Sequence, residues 1–359
     1  MTKAIENPPR AGGTPPGAGG GAAIETHGLT KRFGDLVAVD GLDLRVPYGS
    51  IFGFLGPNGA GKTTTLRMLT GLGWPTSGTA IVDGVPVARG DARLAARIGY
   101  LDQDPRFYAW MTGRELLQLA GRAYGLEGEP LRARVDETLE IVGLAEAGHR
   151  RIGGFSGGMR QRLGVGQAIL PRPQVLFLDE PVSALDPAGR RDILELIGSL
   201  RGVTTVVMST HILNDVERIC DRIAILDRGR LVTEAPIEEL LARHARPVLE
   251  IDPEPGQDAA VAALITTLQE AGWTRTVREQ HGMVRVTVGD AEAAAAGILP
   301  IVVAAGVRLA RYERVRPNLE DVFLELVGTN GAARVAATEV AELGQAAHEE
   351  QPSTEQVER

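Results

Sequence analysis

One eight-residue stretch, Gly56-Pro57-Asn58-Gly59-Ala60-Gly61-Lys62-Thr63, restricts what this chain can fold into more than any other part of it. It fits the pattern G-x-x-x-x-G-K-[ST] and lies between an apolar run, Ile51-Phe52-Gly53-Phe54-Leu55, and a helix-like run over residues 63–71. The order is strand, loop, helix. Glycines without a Cβ let consecutive backbone N–H groups turn inward around an anion, and the positive end of the following helix adds to their pull. The pattern places Lys62 at the β- and γ-phosphates of a nucleotide and gives Mg2+ the Thr63 hydroxyl, since magnesium prefers oxygen ligands. Glycine spacing alone says little in a chain with 45 glycines, but the lysine says more. Of the 38 lysines and arginines only Lys3, Lys31 and Lys62 are lysine, so arginine serves almost wherever a cation will do. A compact ammonium fits inside a phosphate nest, where a planar guanidinium does not.

Around this loop the pattern is that of an α/β protein. The segments 24–33 and 37–46 alternate like strands about a Gly34-Asp35 turn and read as an antiparallel hairpin. From 113 to 143 the apolar residues recur at helical spacing. Beyond them, the buried-strand runs 175–178 and 204–210 flank a helix over 192–200, which indicates a parallel sheet. After about residue 246 the order becomes strand, helix, strand, strand, helix, strand, a split βαβ or ferredoxin-like plan for a small α+β domain over 246–328. Within it, His281 and the arginines nearby read as a solvated face. Residues 1–23, rich in Gly and Pro, and the polar stretch 329–359 read as disordered tails.

Composition excludes several classes. A formal net charge of -8 argues against a broad nucleic-acid-binding surface. With Cys220 alone, no intramolecular disulfide can form, and its place in V-E-R-I-C-D-R-I predicts a buried, inert thiol in a reducing cytoplasm. The most apolar stretch, 293–307, is shorter than the roughly 18 residues of a membrane span and contains Gly297, Pro300 and Gly306. The N-terminus lacks the apolar core of a secretory signal.

A phosphate loop by itself leaves GTPases, kinases, helicases and transport ATPases open, so further residues must choose. Val175-Leu176-Phe177-Leu178-Asp179-Glu180 is an apolar strand ending in two carboxylates, at the strand end where open α/β sheets bind ligands. There Asp179 is expected in the Mg2+ shell, with Glu180 as general base for the attacking water. Ser156-Gly157-Gly158 precedes a helix-like run and suits a helix N-terminus that receives an anion.

The segment 155–162, F-S-G-G-M-R-Q-R, resembles the signature L-S-G-G-Q of ATP-binding cassette (ABC) proteins, with Phe155 and Met159 departing at the two ends. The S-G-G-M form resembles that of drug and polysaccharide exporter cassettes. Other elements of the family follow in order: Phe33 as the base-stacking aromatic, Gln103 as the Q-loop, Asp186 in S-A-L-D as the D-loop, and His211 in S-T-H-I-L as the switch histidine. Gln103 is flanked by Asp102 and Asp104, which bears on how this loop meets a partner. The resemblance covers about 24–241. It implies an ABC-type P-loop NTPase cassette over 24–245, with a parallel sheet core, an antiparallel β subdomain and a helical subdomain at about 104–170.

By the same resemblance, ATP is held by Phe33, Gly56, Pro57, Asn58, Gly59, Ala60, Gly61, Lys62, Thr63 and Thr64. Lys62, Gln103, Glu180 and His211 act in hydrolysis, and Mg2+ is held by Thr63, Gln103 and Asp179. Two cassettes close head to tail, so Ser156, Gly157 and Gly158 of one complete the site of the other. A homodimer is therefore implied, coupled to a separate transmembrane permease and peripheral on the inner face of the membrane. The segment 316–326, R-P-N-L-E-D-V-F-L-E-L, resembles the P-S-L-E-D-V-F element that ends many exporter cassettes of the drug-resistance type. Export leads. The alternatives are a cassette ATPase outside transport, opposed by the single phosphate loop and the lack of a long heptad run, and an importer cassette, which predicts a C-terminal β-barrel. The transported substrate is not legible, because the permease sets it.

Overall fold

The structure, a computed structural model, describes residues 21–183, 185–244, 247–280, 282–315 and 317–328. Expectations that concern residues 1–20, Ala184, Ala245, Arg246, His281, Arg316 and 329–359 lie outside the described residues. Two compact units emerge, divided between Ile237 and Glu238, with the second ending at Leu326.

In the first unit β1 (Ala22–Phe33) and β2 (Leu36–Pro47) form the hairpin, turning at Gly34 and Asp35. Next come β3 (Ile51–Leu55), α1 (Lys62–Leu69), β4 (Ser77–Val82), β5 (Val85–Pro86), α2 (Ala92–Ala95) and β6 (Ile98–Leu101). A helical stretch follows, α3 (Gly113–Ala123), α4 (Gly128–Ile141) and α5 (Gly157–Ile169). The chain then returns through β7 (Val175–Asp179), α6 (Pro187–Ser199), β8 (Thr205–Thr210), α7 (Leu213–Ile219), β9 (Arg222–Asp227) and β10 (Arg230–Pro236). One sheet has the order β2-β1-β4-β5 and is antiparallel; the other has the order β10-β9-β3-β8-β7-β6, parallel except for β10. Burial on both faces explains the unbroken apolar runs of β3, β7 and β8, every residue of which is buried.

Register decides where the chemistry collects. Leu55 pairs with Thr210 and Asp179 with Ser209, so β3, β8 and β7 end side by side and deliver the phosphate loop, the carboxylate pair and His211 to one edge. Gly53 makes that packing possible, since a Cβ there would lie 3.1 Å from Cys220 Sγ and from Val216 Cγ1. Cys220 is buried, as expected, and burial raises its thiol pKa.

The second unit begins one residue into α8 (Ile237–Arg243), continues through β11 (Val248–Pro253), α9 (Asp258–Glu270), β12 (Thr274–Gln280), β13 (Met283–Val288), α10 (Ala291–Ala304) and β14 (Leu309–Val315), and takes in all but the last residue of α11 (Leu319–Val327). Its sheet is antiparallel, order β12-β13-β11-β14, the arrangement of a ferredoxin-like fold. Leu249, Ile251, Val284 and Val286 pack on one face with Leu264 and Ile298. The opposite face corrects the expectation of solvated arginines. Arg285 is largely buried and pairs with Glu250 and with Asp321, the latter at 2.8 Å, while Arg278 reaches Glu320 at 3.1 Å. Asp321 and Asn318 also cap α11 reciprocally, each side chain accepting the other's backbone N–H at 3.0 Å. The N-L-E-D run is thus a helix start clamped to two arginines, a long-range pairing that solvent-facing composition does not announce.

Candidate functional site

The loop from Gly56 to Gly61 is built by three left-handed glycines. Gly56, Gly59 and Gly61 have φ of 154°, 80° and 102°. A Cβ would meet Leu226 O at 2.3 Å from Gly56 and Ala38 O at 2.5 Å from Gly61, so two of the three positions exclude side chains by contact as well as by conformation. At the end of this loop Lys62 is buried and starts α1. Its Nζ donates to Gly56 O at 2.7 Å and lies 3.3 Å from Glu180 Oε1.

Glu180 is the hub of the buried cluster. Oε2 lies 3.0 Å from His211 Nδ1, and the His211 side chain is fully buried. Burial pushes the Glu180 carboxyl up, but the His211 hydrogen bond and the Lys62 charge together hold it below the ordinary carboxylate value. Its backbone takes a strained φ of 46°, held by its N–H donating to Ser209 Oγ at 2.9 Å and by its carbonyl accepting from Ser183 Oγ at 2.9 Å.

Asp179 contrasts with its neighbour. Oδ1 accepts from Ser209 Oγ at 2.5 Å and from Thr63 Oγ1 at 3.1 Å, but Oδ2 is buried with no hydrogen-bond partner. Burial raises its pKa above the usual value despite the two hydroxyls. An unsatisfied carboxylate oxygen next to a threonine hydroxyl is a hard-oxygen donor pair, which suits Mg2+. Among the described residues no group of three His, Cys, Asp or Glu could hold a metal alone, and phosphate oxygens and water commonly complete the shell of magnesium.

Of these side chains, Lys62, Thr63 and Glu180 line a cavity of about 420 Å³, whereas Asp179 and His211 are buried and do not line it. Asn58, Gly59, Ala60, Gly61, Thr63 and Thr64 line it with Lys62 and Glu180, and Gln103 and Phe33 border it. Phe33 is 54% exposed, which excludes a core role, and Lys31 Nζ sits 4.8 Å from its ring centroid. Gln103, exposed just beyond β6, is next to Asp102, which pairs with Arg67 of α1 at 3.5 Å.

Ser156, Gly157 and Gly158 do not line this cavity. Ser156 is the N-cap of α5, its Oγ accepting from Met159 N at 3.2 Å, and both Ser156 and Gly157 are exposed. Asp186 is likewise an N-cap, on α6, accepting from Gly189 N at 3.0 Å.

Residues 39–183 match the family described as "ABC transporter", and residues 236–327 match "ATP-binding protein DrrA1-3-like, C-terminal domain". The chain is 38% identical over 304 residues to "Uncharacterized ABC transporter ATP-binding protein YxlF" of Bacillus subtilis (strain 168), covering 85% of this chain and 99% of that protein. It is also 38% identical over 317 residues to "Daunorubicin resistance ATP-binding protein DrrA3" of Streptomyces coeruleorubidus, covering 88% and 99%. The chain belongs to the ABC transporter ATP-binding protein family. "Bacitracin transport ATP-binding protein BcrA" of Enterococcus faecalis is a further relative, 35% identical, with 86% and 98% covered. Among solved structures, an "ATP binding subunit of ABC transporter" superposes with TM-score 0.57 at 28% identity, over 62% of this chain and 93% of that one. An ATP-binding cassette solved as a dimer in a post-hydrolysis state with ADP and phosphate superposes with TM-score 0.55 at 26% identity, over 59% and 98%.

The fold of this ABC ATPase also buries three polar side chains that sequence reasoning passed over. Ser209, two positions before His211, donates to the Asp179 carboxylate and accepts from the backbone N–H of Glu180. Gln161 of α5 is buried and donates to Pro181 O at 2.9 Å, tying the helix behind the signature to the loop after Glu180. Asp215 of α7 is buried against Arg190 of α6 at 2.9 Å. The S-T-H spacing was the one available signal for Ser209; nothing local marked the others. Among the described residues no helix is long and apolar enough to cross a membrane.

Proposed function

We propose that this ABC ATPase is the motor of an exporter, closing as a head-to-tail homodimer around ATP and driving a separate transmembrane permease. The observation that carries the reading is the division of the site. Lys62, Thr63, Asp179, Glu180 and His211 are joined by contacts within one chain, while the Ser156-Gly157-Gly158 helix start lies outside the cavity that Lys62, Thr63 and Glu180 line, exposed and ready for an anion held by another copy. Support for export comes from the DrrA-like C-terminal domain and from relatives named for daunorubicin resistance and bacitracin transport.

ATP enters with its base on Phe33 and its phosphates in the glycine loop. Lys62 exchanges Glu180 for the β- and γ-phosphates, which frees Oε1 to accept a proton from water while His211 keeps Oε2 oriented. Thr63, Asp179 and Gln103 would hold Mg2+, which when bound neutralises charge on the phosphate oxygens. Loss of the γ-phosphate removes what joins the two copies, the differential affinity that a two-state motor needs.

Trans-complementation tests the composite site. Lys62→Ala and Ser156→Arg each abolish turnover alone. Mixed together, they re-form one intact site from Lys62 of one copy and Ser156 of the other, and phosphate release returns. A mixture as inactive as its components overturns the shared-site reading.

A further inference from the structure

One charged side chain in the nucleotide cavity comes from neither the phosphate loop nor the carboxylate strand. Arg228 lines the cavity from the two-residue turn Arg228-Gly229 between β9 and β10. Both residues have positive φ, 49° and 80°, the pattern of a tight I′ hairpin, which favours Asn, Asp or Gly at its first position. An arginine there is strained, and strain of this kind persists where the surroundings over-determine it and the side chain has a use.

The surroundings do so. Gly229 N donates to Ala60 O of the phosphate loop at 3.1 Å, and Gly229 O accepts from Asp40 N at 2.8 Å. Arg230 pairs with Asp40 at 2.8 Å, and a Cβ on Gly229 would lie 2.8 Å from Ala38 O. The turn is thereby fastened beside Val37 and Ala38, which follow Phe33 and Leu36 along the hairpin.

Charge divides unequally along the cavity. Lys62 and Glu180, the other ionised residues that line it, are buried against each other at the phosphate end. Arg228 comes from the turn fastened between Ala38 and Ala60, its side chain is 76% exposed, and its ion pair with adjoining Asp227 is a long 3.9 Å. Phe33, Leu36, Val37 and Ala38 add aromatic and aliphatic surface to the lining, with the Lys31 ammonium 4.8 Å from the Phe33 ring centroid.

We propose that Arg228 is a nucleobase-contacting residue, its guanidinium covering the face of the adenine turned away from Phe33, so that the base is held between an aromatic ring and a flat cation. The proposal rests on the nucleotide reading of this cavity. A planar, delocalised, weakly hydrated guanidinium stacks on π faces at little desolvation cost, and an exposed one can swing aside to admit the nucleotide.

Titration calorimetry on the full chain with Mg2+ separates base from phosphate by comparing ATP with inorganic tripolyphosphate, which lacks the base. Arg228→Ala weakens ATP binding about five-fold and leaves tripolyphosphate unchanged. Arg228→Gly does the same with an unchanged or raised melting temperature, because it relieves the left-handed backbone. Arg228→Lys recovers only part of the affinity. Equal losses for ATP and tripolyphosphate would put the side chain on the phosphates and overturn the proposal, as would wild-type ATP affinity in the Ala and Gly variants. Failure of the unsubstituted chain to bind ATP overturns the nucleotide reading itself, and shows before any substitution is made.

Discussion

Two helix N-termini in the first unit, one capped by Gly61 and the other opening on Gly157 and Gly158, have opposite surroundings. The start of α1 is enclosed: Lys62 is buried, Gly61 has no room for a side chain, and Thr63, Asp179, Glu180 and His211 close around it. The start of α5 is open: Ser156 caps its own helix, and a Cβ on Gly157 meets nothing within 4 Å. Enclosure lets one chain set pKa values and orient a base. Openness leaves a helix dipole and free backbone N–H groups for an anion that this chain does not place there.

The sharpest way to break the contrast is at the enclosed end. Glu180→Gln keeps the shape of the hub but removes the base, so phosphate release falls about a thousand-fold while ATP binding persists and a closed dimer accumulates on size-exclusion chromatography. Normal turnover in that variant would sink the general-base assignment. At the open end, Gly157→Asp has room to fit, so its effect reports electrostatics. A carboxylate facing the expected anion lowers turnover about a hundred-fold, with the melting temperature of the chain nearly unchanged. A large drop in melting temperature would show that the segment is structural.

Smaller effects sharpen the account of enclosure. Ser209→Ala removes the donor to Asp179 and the acceptor for Glu180 N, so stability falls by about 2 kcal/mol in denaturant titrations and turnover drops about ten-fold. Asp179→Asn moves stability the other way. Its folded pKa is raised by burial, so the stability linked to its proton is present in acid and lost as the pH rises through that raised value. The Asn variant therefore gains about 1 kcal/mol near neutrality, a gain that shrinks toward acid pH in thermal melts, and it loses the stabilisation that Mg2+ with ATP confers. Glu180 behaves oppositely. Held below its ordinary value, its contribution is complete above the normal carboxylate range and is lost only as the pH falls through the lowered one.

Much of this was legible without coordinates where the requirement is local. The phosphate loop, the strand ending in Asp179-Glu180, the S-G-G helix start and the strand and helix order of the second unit are each encoded within a few residues, by glycine freedom, burial on two faces, capping chemistry and periodicity. Phe33 reads as a stacking aromatic through the family resemblance alone, and its exposure in the cavity is a separate fact of the fold. The arginines of the second unit went astray for a physical reason. Nothing local separates an arginine facing water from Arg285, whose partners Glu250 and Asp321 lie 35 and 36 residues away.

By itself, then, the sequence determined that a glycine-rich phosphate-loop motif, two adjacent carboxylates at a strand end and an S-G-G helix start exist, because backbone conformation and amphipathic pattern are short-range properties. Tertiary structure alone decided how they stand to one another. Thr63 reaches Asp179 across 116 residues and His211 reaches Glu180 across 31, distances that sheet order and register close. The same closure set the opposite pKa shifts of adjacent Asp179 and Glu180, left Ser156-Gly157-Gly158 outside the cavity, and brought Arg228 into its lining. A carboxylate's charge depends on what the fold buries it against, and no run of neighbouring residues contains that information.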